Sequence, residues 1–280
     1  MNNSIKKTWL ITGCSTGFGR AYALKALEAG YNVAVTSRNV NDIKDIVEKY
    51  PNTSIALQLD VTKPNEIETA IQATLNRFKK IDVLLNNAGI GYFGSIEESD
   101  ETETRKMMEI NFFGLANTIK EVLPFMRAQK SGHIINVASI GGLVSFPALG
   151  YYHATKYAVD GFSESLSKEV SGLGIKVTVI APGAFRTDWA GRSANETKGA
   201  ISDYTETAEA TKKWLRSING SQPGDPFKAA EAIIKVVESS DPPLRLLMGT
   251  DALEAAKSKI ADLTKNFDEW ASTTLNVEFK

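Results

Sequence analysis

The sequence is poor in the residues that staple or metallate a chain. There is one cysteine among 280 residues, Cys14, so no disulfide can close within it. There are two histidines, His133 and His153, and neither stands at ligand spacing from the other or from Cys14. A zinc site built from Cys and His is therefore excluded, while an all-carboxylate magnesium site is not. One lone thiol fits a reducing, cytoplasmic compartment. An excess of either charge is missing as well: 32 Lys+Arg against 33 Asp+Glu leave a formal net charge of -1. Neither a basic nucleic-acid footprint nor a membrane-surface patch is expected from that balance. Lys6 and Lys7 precede an apolar stretch, but Gly13, Ser15, Thr16 and Gly17 end it too soon for a secretory signal. The span from Ser131 to Thr155 carries no Asp, Glu, Lys or Arg, yet Asn136, Gly141-Gly142, Pro147 and Gly150 divide it, so no membrane segment is expected. Repeats, low-complexity tracts and linkers are absent too, which predicts a single domain.

What is present is an alternation. Short apolar runs, at Trp9–Ile11, Val33–Val35, Ile55–Leu59, Val83–Leu85, Ile134–Val137, Val177–Ile180 and Leu244–Met248, are apolar on both faces. That is the pattern of buried parallel strands. Helix-length segments separate them: Ala21–Ala29 before Gly30, Asn65–Phe78 behind Pro64, Thr102–Met126 with Pro124 near its end, Tyr151–Val170, and Pro226–Val237 behind Asp225 as N-cap. This order predicts an α/β fold, a doubly wound, mostly parallel sheet of Rossmann type flanked by helices. Residues 186–219 depart from the alternation, being polar with scattered aromatics. Such an insertion is either a lid over a substrate or a surface excursion, and its length favours the lid. Residues 251–280 form an extension holding an amphipathic helix.

The chemistry starts at Thr12-Gly13-Cys14-Ser15-Thr16-Gly17-Phe18-Gly19, between the first strand and the first helix. Glycines let backbone N–H groups and the positive end of a helix approach a phosphate. The spacing differs from the generic dinucleotide fingerprint. Cys14 in this loop reads as a small filler rather than a redox thiol.

With these glycines the chain resembles the classical short-chain dehydrogenase/reductase family. The remaining motifs follow in order: Asp60-Val61 after the third strand, Asn86-Asn87-Ala88-Gly89 after the fourth, Asn111 in the long helix, Ser139 after the fifth, Tyr152-His153-Ala154-Thr155-Lys156 opening the next helix, and Pro182-Gly183 with Thr187 after the sixth. The resemblance covers roughly Thr8 to Met248. It implies a dinucleotide held by Gly13, Ser15, Gly17, Phe18, Gly19, Ser37, Arg38, Asp60, Val61, Asn87, Ala88, Gly89, Tyr152, Lys156, Pro182, Gly183, Phe185 and Thr187. It also implies a catalytic set of Asn111, Ser139, Tyr152 and Lys156, no metal, and a homodimer or homotetramer. Asn111 would help hold a water relay through the lysine.

The residues support that chemistry on their own terms. Tyr152 and Lys156 are four apart and share a helix face. A neighbouring ammonium lowers a phenol's pKa toward a useful range. A Ser139 hydroxyl on the same oxygen suits carbonyl/alcohol interconversion, with hydride from a nicotinamide. His153, one residue along, is expected to face solvent. No acid stands between Val33 and Asn41, where an NAD enzyme usually holds the ribose hydroxyls. Ser37 and Arg38 could instead take a 2′-phosphate, so NADP(H) is expected over NAD(H). Phe146, Phe185 and Trp189 would line the pocket and favour an apolar small-molecule carbonyl or alcohol. An NADP(H)-sensing regulator and an epimerase or dehydratase are the rival readings. The regulator would be expected to lose Tyr or Lys, the others to carry a larger C-terminal region.

Overall fold

In the computed structural model, which describes residues 6–279, every apolar run of the sequence becomes a strand of one parallel sheet. The strands are β1 (Thr8–Ile11), β2 (Asn32–Ser37), β3 (Ser54–Gln58), β4 (Val83–Asn86), β5 (Gly91–Phe93), β6 (Gly132–Val137), β7 (Ile175–Pro182), β8 (Ala194–Glu196) and β9 (Arg245–Met248). Seven of them lie in the order β3-β2-β1-β4-β6-β7-β9, and β5 pairs apart with β8. All registers are parallel, for example Leu10 beside Ala34 and Leu84.

The helices are α1 (Gly17–Glu28), α2 (Lys44–Lys49), α3 (Pro64–Phe78), α4 (Glu101–Met108), α5 (Gly114–Gln129), α6 (Gly150–Glu169), α7 (Ala210–Ser217), α8 (Pro226–Glu238), α9 (Thr250–Glu269) and α10 (Ala271–Leu275). Strand side chains alternate between two cores. Trp9, Ile11, Val33, Val35 and Ile135 pack with α1 and α8 through Ala23, Ala26, Ala230 and Ile233. Leu10, Ala34, Leu84 and Ile134 pack on the other face with α3, α5 and α6 through Ile67, Ile119, Val122 and Val159. This is the doubly wound sandwich expected from the sequence. The strand order reverses between β1 and β4, and a crevice for ligands opens at the carboxyl ends of strands beside such a point.

Several boundaries differ from expectation for local reasons. Helix α1 begins at Gly17, not Ala21, because Gly17 (φ 56) turns the glycine loop straight into the helix. The long helix runs from Glu101 to Gln129, interrupted by a π-type turn at Glu109–Phe113. Pro124 therefore lies inside it rather than near its end, and the stop is Lys130 in the left-handed region at φ 52. Such π-type turns concentrate at functional sites, and this one carries Asn111. Helix α2 and the β5–β8 pair were not legible as apolar runs. The 186–219 insertion is folded, with β8 and α7 in it. Helix α9 buries Ala252 and Ala256 in its first turns, and its later residues stand exposed. Among the described residues no helix is long and apolar enough to cross a membrane.

Candidate active site

The glycine loop and the turn after β4 are laced together. The buried Thr12 hydroxyl accepts from the backbone N–H groups of Asn87 (2.9 Å) and Ala88 (3.0 Å). In return the Asn87 amide donates to the carbonyls of Thr12 and Gly13, both at 3.0 Å. Gly13 sits at φ 72, and a Cβ on Gly19 would stand 2.2 Å from the Gly13 carbonyl oxygen. No side chain caps α1, and no acid occupies its first turn. Free N–H groups, a helix dipole and a glycine cradle together fit a pyrophosphate. A cleft of about 310 Å³ opens here, lined by Gly17, Arg20, Arg186 and Thr187 among others.

The remaining residues of the cofactor side fall at the same sheet edge. Ser37 is buried at the end of β2, and Arg38 beside it is exposed. Arg38 makes no ion pair among the described residues. Burial works to raise the Asp60 carboxyl, but hydrogen bonds from Thr62 and the charges of Lys63 and Arg38 outweigh it and hold the group low. Val61 packs against Gly114, whose Cβ would collide with it. Phe18 stacks with Tyr22 (5.4 Å) and meets Phe185 (5.1 Å). Phe185 therefore packs at the glycine-loop end, beside Phe18, among the residues expected to hold the dinucleotide. Pro182 and Gly183 close β7, and the turn is pinned from the extension: Asp251 Oδ2 accepts from the Ala184 N–H at 2.7 Å. Cys14 is buried, and burial pushes its thiol up to about 12, as befits a filler.

Ser139, Tyr152 and Lys156 converge on the other side of the crevice. Ser139 stands extended just after β6, its hydroxyl accepting from the Gly141 N–H at 3.0 Å. Tyr152 is buried while its neighbour Tyr151 is exposed, so the residue facing inward is the one four before Lys156. Burial pushes the phenol up to about 12, and the Ser139 hydroxyl acts against that rise. The Lys156 ammonium donates to the Val137 carbonyl at 2.9 Å and lies 5.7 Å from the centre of the Tyr152 ring. Burial lowers it to about 8. In the fold burial outweighs any pull of the ammonium on the phenol. Both groups are out of water, and desolvation penalises each charged form first.

Asn111, on the π-type turn, accepts from Ile90 N–H (2.8 Å) and donates to the Ile90 carbonyl (3.0 Å) and to Thr155 (3.2 Å). Thr155 in turn donates to the Tyr152 carbonyl at 2.8 Å. The side chain thus ties the turn after β4 to α6, and it makes no bond to Lys156. Trp189 lies over Tyr152 with ring centres 4.8 Å apart and meets Phe93 at 5.2 Å. Gly91 leaves it room, since a Cβ there would come within 3.2 Å of the indole.

His153 overturns its sequence reading. It is 3% exposed, not solvated. Its Nδ1 donates to the Gly141 carbonyl and its Nε2 accepts from the Phe146 N–H, both at 2.8 Å. The helix-face argument failed because residues 140–148 fold over the start of α6 and bury a second face. Further partners carried no signal as site residues. Buried Lys212 holds the Thr197 carbonyl (2.7 Å) and Glu209 (2.8 Å). Arg216 holds the carbonyls of Ala190, Gly191 and Ala194, together with Glu196. Among the described residues no cluster of His, Cys, Asp or Glu could hold a metal ion.

Comparison with known proteins agrees with this geometry. The short chain dehydrogenase family profile matches residues 7–198. An oxidoreductase of Botryotinia fuckeliana, BOA17, is 38% identical over 270 residues, 96% of this chain and 98% of that protein. A 3-ketodihydrosphingosine reductase of Bacteroides thetaiotaomicron is 37% identical over 247 residues, 86% of this chain and 87% of that one. A crystal structure of a short-chain dehydrogenase from Streptomyces avermitilis superposes with a TM-score of 0.91 at 37% identity, covering 99% of this chain and 100% of that one. The solved structure of ElxO, 29% identical with a TM-score of 0.74 over 89% of this chain and 99% of its own, has NADP bound. A seven-stranded parallel sheet with a glycine cradle at its switch point, matched along most of its length, makes this chain a member of the short-chain dehydrogenase family of oxidoreductases.

Proposed function

We propose that the protein is an NADP(H)-dependent oxidoreductase that interconverts a carbonyl and a secondary alcohol, with Tyr152 as general acid and base. The observation that carries this reading is the convergence of Ser139, Tyr152 and Lys156 at one buried point beside a glycine cradle. A bound nicotinamide supplies or accepts the hydride at this site. The chain's own residues manage the oxygen and the proton. With its pKa pushed up to about 12, Tyr152 is protonated at neutral pH and donates its proton to the carbonyl oxygen in reduction. Ser139 donates a hydrogen bond to the same oxygen. Lys156, anchored on Val137, stabilises the phenolate left behind. Asn111 fixes α6 against the turn after β4, so that the phenol keeps its place.

The NADP reading rests on the exposed Arg38 guanidinium and on the absence of a carboxylate at the end of β2. NADP in the ElxO structure agrees with it. For substrate we infer an apolar ketone or its alcohol. Exposed Ile96, Phe146 and Tyr151 surround the start of α6, and Trp189 walls the phenol. A relative named for reduction of a keto compound agrees. Residues 186–219 serve as the lid of that pocket. The exposed apolar face of α9, with Ile260, Phe267 and the C-cap Trp270, suits a second copy in a homo-oligomer.

The test is Tyr152→Phe, assayed for NADPH consumption against a panel of aldehydes, ketones and sterols. Loss of a general acid typically costs on the order of 10²–10⁴ in rate. NADPH affinity should stay intact, and Tyr151→Phe should be mild. Near-normal turnover by Tyr152→Phe would remove the phenol from its role.

A further inference from the structure

We propose that His153 is a positioning residue that clamps the loop following Ser139 onto the helix of Tyr152, so that the two hydroxyls meet one substrate oxygen. The inference rests on the oxidoreductase reading above and adds to it a residue outside the expected catalytic set. The loop from Ser139 to Leu149 is tied at its two ends, by Leu143 and Val144 N–H groups on the Ile140 carbonyl and by Gly94 N–H on the Ala148 carbonyl, with Leu149 buried. Beyond the short turn at Ile140–Gly142, residues 143–149 form no helix or strand. His153 grips it at two points: Gly141, whose own N–H holds the Ser139 hydroxyl, and Phe146 at the pocket mouth. The fit is close, because a Cβ on Gly141 would stand 2.8 Å from Nδ1. The ring also packs between Phe146 (5.7 Å) and Tyr152 (6.0 Å). One side chain thus touches the loop of one hydroxyl and the ring of the other.

The two bonds need opposite roles from one imidazole. Nδ1 must carry a proton, and Nε2 must keep its lone pair for the Phe146 N–H. Only the neutral form does both, and burial holds the ring neutral by lowering its affinity for a proton. Burial and the two backbone groups act on the ring, and its titratable neighbour is the Tyr152 phenol. A second proton would break the Phe146 bond, and the loop would loosen as pH falls.

The test compares His153→Phe, which keeps a ring and loses both bonds, with His153→Gln, whose amide can donate to Gly141 and accept from Phe146. Two neutral hydrogen bonds contribute together roughly 10- to 100-fold, and His153→Phe should lose kcat in that range while NADPH affinity holds. His153→Gln should restore most of it and flatten the acid limb of the wild-type pH profile. The double variant Ser139→Ala/His153→Phe should turn over no more slowly than Ser139→Ala alone, because the clamp acts through Ser139. Amide hydrogen exchange at residues 140–146 should quicken in His153→Phe and not in Tyr152→Phe. Losses that multiply in the double variant, or unchanged exchange in the loop, would overturn the clamp. Exchange is read without substrate, so it judges the clamp even if the panel shows no turnover and the oxidoreductase reading falls. If His153→Phe does not fold, the pH profile of His153→Gln decides: an unaltered acid limb overturns the proposal.

Discussion

The two sides of the crevice are built by different means. The cofactor side leans on backbone, with glycines at tight turns and N–H groups at the head of α1, held by the local lacing of Thr12 and Asn87 between neighbouring loops. The substrate side is made of side chains reaching over distance in the chain. His153 holds 141 and 146, Arg216 holds 190–196, Lys212 holds 197, and Glu98 accepts from the N–H groups of Ala200 (2.6 Å) and Ile201 (2.8 Å).

Substitutions at the two sides should therefore fail in different ways. The largest effect is expected from Gly19→Ala. The new methyl would collide with the Gly13 carbonyl and the Asn87 amide at 2.2 and 2.5 Å, and both are fixed. Overpacking of this kind costs about 1–3 kcal/mol or more, which should appear as a loss of about 10- to 100-fold or more in NADPH affinity. Retained affinity would show that the cradle can give way. Next comes Arg38→Ala, which removes one charged hydrogen-bonding partner at about 1.5–3 kcal/mol and should weaken NADPH by about 10- to 100-fold while barely touching NADH. Fluorescence titration of both cofactors decides it, and equal weakening of both breaks the NADP assignment.

On the substrate side, Arg216→Ala should leave NADPH affinity alone. It releases three carbonyls and Glu196, so KM for substrate should rise and thermal stability should fall. At about 1.5–3 kcal/mol for its charge-assisted bonds, the Tm should drop by about 3–5 °C. A weakened NADPH affinity would join the two sides that the comparison separates. The smallest effect concerns pH. Burial brings Lys156 to about 8, below its ordinary value, so the folded protein releases that proton first as pH rises. The Lys156 ammonium, expected among the groups that hold the dinucleotide, is present below that pH and lost above it. NADPH affinity should weaken by a few-fold between pH 7 and 9. A flat profile would remove the charge from cofactor binding.

The same division explains what the sequence made legible. Apolar runs named all seven strands of the main sheet, since a strand buried on both faces cannot be polar. Cofactor-side residues were legible because backbone conformation demands glycine, and glycine is visible in a sequence. Tyr152 was separable from Tyr151 because only one of them faces Lys156. Lys212 and Arg216 drew no reading from the sequence, although Lys212 is 5% exposed, because their carbonyl partners belong to every residue type and leave no mark. His153 was read as solvated because a single helix face cannot show a loop that folds over the other one. The π-type turn at Asn111 has no composition of its own, and nothing near Gly91 or Ala194 marks the small β5–β8 pair.

The hydrogen bond from Ala184 to Asp251 makes the turn after β7 depend on the start of α9. The turn after β7 acquires its acceptor from the first turn of α9, and a Cβ on Gly183 would collide with that carboxylate, so the two are moulded to each other. A nascent chain that stops short of residue 251 can possess the glycine cradle, Ser139, Tyr152 and Lys156, and still lack the peg that shapes one wall of the crevice. Shortening the chain at its far end is, for this fold, an intervention at the mouth of the sheet.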